Sequence, residues 1–551
     1  MPVLNFFPRK FPAFYGHGLA FSCDETAITI EDGIVKPIIE ASGKGPGDSP
    51  LLLLFTPVWV SAYQGKKLIR RLPRPDKAMP YRFECPPGIE PATDHELIAL
   101  AAVLDVEDRA AFTLMMEGAQ AAEPLVAALG GSEAKRALCD HMLRLAFAAG
   151  KTAATVAAME GRRTEALSIA TDTLGKLPMV PAHHDAPHNV AIKRGAILGD
   201  LSLPQCRHYR VEQKLEQFAR IGIAVDCFEM RGAAALCQSL PALDFLIIYR
   251  LPTTPALLDI VSEARRIGVP LLYETDDLLF DADAFPGQRE DYPADFGAEE
   301  YAELLILPPM YLHAMALCDR VITSTPALMQ RACEMLGHRR VAVHANGLDD
   351  RHQRAAARVT EARYGSEGGN RAGFRLFYGS GTKAQQSDFT ALADQVLSPF
   401  LALHPDASLT VAGEVELPHS LRRLSEQVRR LAPQGLEDYW AALAAADVFL
   451  APLTRNAFND CKSAIKWLEA ANLGVATIAS GTPAFDSVID SGTDGFLCTI
   501  PNDWREALEL LAAAPHRAAE MGAAARSRAH ADFCPEKLDN SLAAIMASLH
   551  G

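Results

Sequence analysis

The sequence predicts an α/β protein with two doubly wound parallel sheets in tandem, set behind an additional N-terminal α+β region. Three observations predict it. From Arg194 onward, short runs of strand type alternate with helical stretches: GAILGD, IAVDCFEM, FLIIYRL, PLLYETDD, RVITST and VAVHANG. Runs this continuously apolar belong to parallel strands covered by helices on both faces. A second series of the same kind, RLFYGSG, SLTVAGE, DVFLAPL and VATIASG, follows a polar stretch. Finally, 551 residues, 49% of them hydrophobic, give room for roughly three domains.

In chain order, residues 1–93 combine short apolar runs with Gly/Pro turns such as GKGPGDSP and RLPRPDKAMP, the pattern of a small sheet-containing unit. Residues 94–190 turn helical, with apolar positions at helical spacing, and end in the Pro/His-rich linker LGKLPMVPAHHDAPHN. His183, His184, Asp185 and His188 in that linker have metal-ligand chemistry, but without a rigid frame a solvated loop is favoured. Residues 191–350 form the first Rossmann-like domain, and RHQRAAARVTEARYGSEGGNRAG reads as a polar linker. Residues 373–535 form the second such domain, and 536–551 a C-terminal helix. Ligands of these sheets bind beyond the carboxyl ends of the strands, so the functional cleft is expected between the two domains.

The net charge of −15 argues against nucleic acid as a partner. The eleven cysteines are scattered, odd in number and without CxxC spacing, which favours reduced thiols in a cytoplasmic compartment over a disulfide frame or zinc site. MPVLNFFPRKF lacks the apolar core of a signal peptide, and the longest apolar run, LLLLFTPVWV at 51–60, is too short to span a bilayer. Any contact with the inner membrane face would be peripheral.

The richest segment is 456–495, NAFNDCKSAIKWLEAANLGVATIASGTPAFDSVIDSGTDG, which reads as loop, buried helix, buried strand and Gly-turn. On a helix spanning 462–473 the apolar residues cover most of the circumference, while Lys462, Lys466 and Glu469 fall at i, i+4 and i+7 on one narrow face. A buried helix with a charged stripe lines a cleft or pairs its charges internally. Two lysines at a helix start are unfavourable unless an anion sits there, so the pattern asks for a phosphate, with Glu469 one turn further in to accept from sugar hydroxyls. The plainer reading is an i, i+3 ion pair between Lys466 and Glu469 on a solvated edge.

This segment resembles the donor-binding helix of GT-B glycosyltransferases of family 4. That helix carries an acidic residue, seven positions, then Glu-Ala before a small-residue turn and a strand. Glu469-Ala470 and GVATIASGTPAF match, whereas Cys461 stands where the family has its first acid. CKSAIKWLEA resembles a sub-group with a Lys-Ser pair, here Lys462-Ser463, at the helix start. The resemblance, which covers about 194–535, implies a GT-B fold of two Rossmann-like domains facing a cleft and a C-terminal helix that crosses back to the first domain. It also implies a retaining, hexosyltransferase-like enzyme that uses a nucleotide-diphosphate sugar donor, with no resident cofactor or metal. The implied acceptor is a saccharide or glycoconjugate of a bacterial surface polysaccharide pathway. A glycosyltransferase-like module that has lost turnover and serves binding or assembly is the alternative.

Strand ends supply the other candidates. After the first strand Arg207, His208, Tyr209 and Arg210 crowd a helix start, where they would hold an acceptor or phosphate, or simply stand exposed. The fourth strand ends in YETDDLLFD; Asp276 stands where the family has a histidine and Asp277 matches its acid. Either carboxylate could orient the acceptor hydroxyl or take its proton, bind a divalent ion, or cap the next helix. In the second domain Gly379 and Gly381 would let the backbone approach a ligand, with Thr382 and Lys383 as diphosphate donors. Glu414 ends the next strand, near the expected position of the base, while Thr325, Asn346 and Gly347 shape the hinge side.

Overall fold

The computed structural model describes eight N-terminal strands within 20–91, then residues 104–116, 119–129, 133–177, 192–289, 292, 296–337, 340–364, 373–380 and 385–550. It divides into two units, Met1–Thr152 and Ala153–Gly551.

In the first unit β1 (Ala20–Cys23), β2 (Ala27–Glu31) and β7 (Tyr81–Glu84) form a three-stranded antiparallel sheet in the order β1-β2-β7. A second antiparallel sheet has the order β6-β5-β4-β3-β8. Its strands are β3 (Ile39–Lys44), β4 (Pro50–Phe55), β5 (Trp59–Gln64), β6 (Lys67–Pro73) and β8 (Glu90–Pro91). The longest apolar run thus becomes an inner strand, β4, and the start of its neighbour. Helices Val106–Met116, Ala119–Ala128 and Glu133–Met159 follow. Trp59 packs in one core with Ala110, Leu114, Val126 and Leu138. The indole of Trp59 and the hydroxyl of Ser61 both donate to the buried Asp108 carboxylate. Sheet and helices therefore fold together across the boundary that the sequence suggests at 93.

The first helix that lies wholly in the second unit, Arg163–Gly175, packs on helix Ala298–Ala316 and so belongs with the first Rossmann-like domain. That domain's sheet has β9 (Arg194–Gly199), β10 (Ala224–Phe228), β11 (Phe245–Tyr249), β12 (Leu271–Thr275), β13 (Arg320–Thr323) and β14 (Val341–Val343). They are all parallel, in the order β10-β9-β11-β12-β13-β14. The next sheet repeats the plan, in the order β17-β16-β15-β18-β19-β20. Its strands are β15 (Arg375–Ser380), β16 (Ser408–Gly413), β17 (Val428–Leu431), β18 (Val448–Ala451), β19 (Ala476–Ser480) and β20 (Phe496–Cys498). Two doubly wound sheets with their strand ends facing one another are the GT-B architecture.

The expected polar linker contains a helix, Asp350–Tyr364, whose Ala- and Arg-rich sequence has high helix propensity and which buries His352 and Ala356. Helix Pro535–Ala547 returns to the first domain, where Leu542, Ile545 and Met546 join Phe218, Phe245 and Ile247 in one core. Asp539 on it pairs with Arg220 at 2.7 Å, and Leu538 fills the space beside Gly347. Among the described residues no helix is long and apolar enough to cross a membrane, and the nine described cysteines are free.

Candidate functional site

The loops after the strands of both sheets meet. After β18 the chain makes a short helix, Ala457–Asp460, capped by the Asn456 side chain on the Asn459 amide at 2.8 Å. A turn through Cys461–Ala464 then leads into helix Ile465–Asn472. The helix therefore begins three residues later than its periodicity suggests, because Cys461 still closes the previous helical turn. Lys462 and Ser463 stand in the turn, and Lys466 lies in the first helical turn. Ala464 offers this N-terminus no side-chain cap, so its first amides remain available to an anion.

Lys466 does not pair with Glu469. Its ammonium donates to Gln385 Oε1 at 2.7 Å and lies 5.1 Å from the Tyr378 ring centroid, and burial pulls its pKa down to about 8. Lys462 instead reaches across to the first domain and meets Asp277 at 3.2 Å. Around that contact Thr325 Oγ1 donates to the Cys461 carbonyl at 2.8 Å, and Phe285 stacks on Phe458 with centroids 5.7 Å apart.

Asp276 and Asp277 follow β12, and a residue that the sequence reading leaves out holds both. Arg250 Nη1 donates to Asp276 Oδ1 at 2.8 Å and to Asp277 Oδ2 at 3.1 Å. Arg250 is also the one non-glycine with positive φ, 52°, among the described residues. Its signal was present: a charged side chain directly after the wholly buried strand FLIIY. Tyr249 Oη adds a hydrogen bond to Asp276 at 3.2 Å. Burial alone would raise the Asp277 carboxyl, but Lys462 and Arg250 outweigh it and hold it below its ordinary range. Neither aspartate caps a helix, since the next described α-helix begins at Ala298.

Of the four residues after β9, only Arg207 is exposed, paired with Glu212 at 2.9 Å. His208, Tyr209 and Arg210 lie in a π-helical turn, His208–Glu212, that directs them inward. Arg210 donates from Nε to Glu274 Oε1 at 2.8 Å and from Nη1 to the His344 carbonyl at 2.9 Å and Asn346 Oδ1 at 2.8 Å. Lys214 meets the same Glu274 oxygen at 3.1 Å. Asn346 then donates to Ser463 Oγ at 2.8 Å, which carries this polar core to the turn before Lys466.

A second buried network holds Glu469. Its Oε1 accepts from Tyr209 Oη at 2.8 Å and from Trp440 Nε1 at 3.4 Å. Tyr209 Oη lies 3.0 Å from His352 Nε2, and His352 Nδ1 lies 2.7 Å from Asp349 Oδ1. His208 Nε2 is 3.1 Å from the other Asp349 oxygen. Burial raises the Glu469 carboxyl to about 7 against the lowering hydrogen bonds of Tyr209 and Trp440. His208, Asp349 and His352 present ligand atoms within 4.8 Å of one another, close enough to accept a divalent ion, although Asp349 already bridges both imidazoles.

Gly379 has the Tyr439 hydroxyl where a Cβ would stand, 2.4 Å away, so this glycine serves packing. Glu414 is exposed after β16. Gly381, Thr382 and Lys383 lie outside the described residues, as do His183, His184, Asp185 and His188.

Residues 375–513, from β15 through helix Pro501–Ala513, match the family described as "Glycosyl transferases group 1". The second Rossmann-like domain is therefore similar to that group, on a chain of GT-B architecture. No curated protein matches the chain. Among solved structures, HepE of Anabaena in complex with UDP and glucose is 15% identical, with a TM-score of 0.45, over 65% of this chain and 100% of that one. A glycosyltransferase of Rickettsia africae is 11% identical, with a TM-score of 0.45, over 65% and 98%. Sucrose-phosphate synthase of Thermosynechococcus elongatus is 13% identical, with a TM-score of 0.45, over 65% and 99%.

Proposed function

We propose that the protein is a retaining glycosyltransferase that takes a sugar from a nucleoside-diphosphate sugar and passes it to a saccharide or glycoconjugate. The observation that carries the reading is the uncapped start of helix Ile465–Asn472, flanked by Lys462 and Lys466, within a domain similar to the group 1 glycosyl transferases. Lysines and oriented amides neutralise the charge that grows on the departing diphosphate, which is the main electrostatic demand of the reaction. Glu469 accepts from hydroxyls of the donor. On the facing domain Asp276, held by Arg250 and Tyr249, orients the acceptor hydroxyl, and Arg207 is the exposed cation beside the acceptor.

Release of UDP, GDP or ADP from a panel of sugar donors tests this reading, with and without acceptor extract. One nucleotide is expected to be released, undiminished by a strong chelator. Loss of release on chelation, restored by manganese or magnesium, would overturn the metal-free mechanism and direct attention to His208, Asp349 and His352. Cys461, buried where the family has an acid, its thiol raised to about 11, favours a second reading as a binding module. Nucleotide binding without release from any donor would select that reading.

Lys466 gives the binding a pH dependence. Its free ammonium titrates near 8, and a bound diphosphate stabilises the charged form, so binding is strongest below about pH 8. Calorimetry is expected to show affinity falling as pH rises through that value, approaching about tenfold per unit. A flat profile between about pH 7 and 9.5 would remove Lys466 from the pocket.

A further inference from the structure

The Glu469 carboxylate belongs to the second domain, yet its nearest donor, Tyr209, comes from the first, 260 residues away in sequence. The phenol has one hydrogen and two neighbours, Glu469 Oε1 at 2.8 Å and His352 Nε2 at 3.0 Å. Two arrangements that keep Asp349 ionised satisfy these contacts. In one, Glu469 is ionised, Tyr209 donates to it, and a doubly protonated His352 donates from Nε2 to the phenol oxygen and from Nδ1 to Asp349. In the other, Glu469 carries the proton and donates to Tyr209, which donates to a neutral His352 that still donates to Asp349. The two differ by the shift of one proton along the chain and have the same total charge. The bond of 2.9 Å from Asn472 Nδ2 to the His352 carbonyl fixes the far end, where His208 Nε2 lies 3.1 Å from the second Asp349 oxygen. Among the described residues no hydrogen bond reaches Glu469 Oε2, which leaves that oxygen for a ligand hydroxyl.

We propose that Tyr209 and His352 are positioning residues for Glu469: the phenol, backed by His352 and Asp349, fixes the carboxylate rotamer so that Oε2 is left to meet arriving donor hydroxyls. The proposal rests on the reading of Glu469 as the donor-side acceptor. It makes the linker helix and the first domain part of the donor pocket, so donor recognition requires the two Rossmann-like domains to be together. The titratable and charged groups facing Glu469 are Tyr209 and His208 from the π-helical turn, His352 from the linker helix, Tyr439 beside Trp440, and Lys466 on its own helix.

The experiment compares two probes on the full chain by calorimetry. Inorganic pyrophosphate reports the lysines and the helix start alone, and the tightest of UDP, GDP and ADP reports them together with Glu469. Tyr209→Phe is expected to weaken the nucleotide roughly tenfold while leaving pyrophosphate within about twofold. Without the phenol's hydrogen bond the carboxyl moves further up. The nucleotide-to-pyrophosphate affinity ratio is therefore expected to rise with pH in both proteins, through about pH 7 in the wild type, where its carboxyl titrates, and at higher pH in the variant. His352→Gln, which keeps a polar side chain but loses the imidazole's place between Tyr209 and Asp349, is expected to show the same selective loss, and it carries the test should Tyr209→Phe fold poorly. Equal loss of both probes, or an unchanged ratio at every pH in folded variants, would overturn the positioning role alone. Wild-type protein that binds pyrophosphate but none of the three nucleotides would overturn the donor reading beneath it.

Discussion

Glu274→Gln is expected to cost about 3–5 kcal/mol and to unfold the first Rossmann-like domain under conditions in which the parent chain is stable. Glu274 is buried at the end of β12, and its Oε1 alone serves Arg210 Nη2 at 2.6 Å and Lys214 Nζ at 3.1 Å. Removing the charge leaves two buried cations facing each other with only the weaker influence of Asp276 to offset them. Arg210 cannot shed its proton. Lys214 can, and burial has already brought its pKa down to about 8. Because the unfolded lysine titrates near 10.4, the unfolded chain holds a proton that the folded one has lost between these values, so stability contributed by this group rises with pH across that window. Part of the loss in the variant should therefore be regained at alkaline pH. Hydrogen exchange over β9, β11 and β12 measures the effect where it acts. Arg194→Ala, which breaks an exposed pair with Asp226 at 2.9 Å, is the contrast and should cost no more than about 1 kcal/mol. Comparable small losses in both variants would show that the Glu274 cluster is hydrated and does not hold the domain.

The sheets were legible because burial on both faces writes itself as uninterrupted apolar runs. FLIIY and VFLA are wholly buried strands, and all six strands of the first sheet fall on runs that the sequence marks. The two strands not anticipated, β17 and β20, are sheet edges. VRRL on β17 leaves Arg429 and Arg430 exposed, and FLC on β20 is three residues long, so neither carries the signal of a two-sided core. Helix periodicity predicted the apolar face at Trp467 and Leu468 but not the start at Ile465, which depends on how Cys461 closes the turn before it. The polar site was legible as residue types and not as partners. Asp276 and Asp277 stood out at a strand end, whereas Arg250, which holds them, lies 26 residues earlier than Asp276. His352 was hidden in a stretch read as linker, and its partners Tyr209 and Asp349 come together only when the linker helix packs between the domains. No local pattern can encode pairs separated by 143 or 260 residues.

Lys462→Ala is expected to lower nucleoside-diphosphate affinity by about 10- to 150-fold, the equivalent of losing a charge-assisted contact of roughly 1.5–3 kcal/mol, with little change in fold because the side chain is half-buried in a turn. Its partner distinguishes this from a general loss of structure. Lys462 is engaged by Asp277 at 3.2 Å, so a diphosphate bound as proposed would compete with a carboxylate for the same ammonium. Asp277→Asn removes the competitor while keeping the shape. It should leave diphosphate affinity unchanged or raise it by up to about tenfold, because the freed lysine pays no ion-pair exchange on binding. Turnover should move the other way. Arg250, which Asp277 and Asp276 share at 3.1 and 2.8 Å, then bears on Asp276 alone, drawing the carboxylate proposed to orient the acceptor out of place. Titration of UDP, GDP and ADP against both variants, together with steady-state release from the active donor, reads the two effects separately. Opposite signs for Lys462→Ala and Asp277→Asn in binding would place the ion pair at the diphosphate pocket as a gate that the donor opens. Equal losses in both would instead mean that Lys462–Asp277 only fastens the domains together, and that the phosphates are held by Lys466 and the helix start without it.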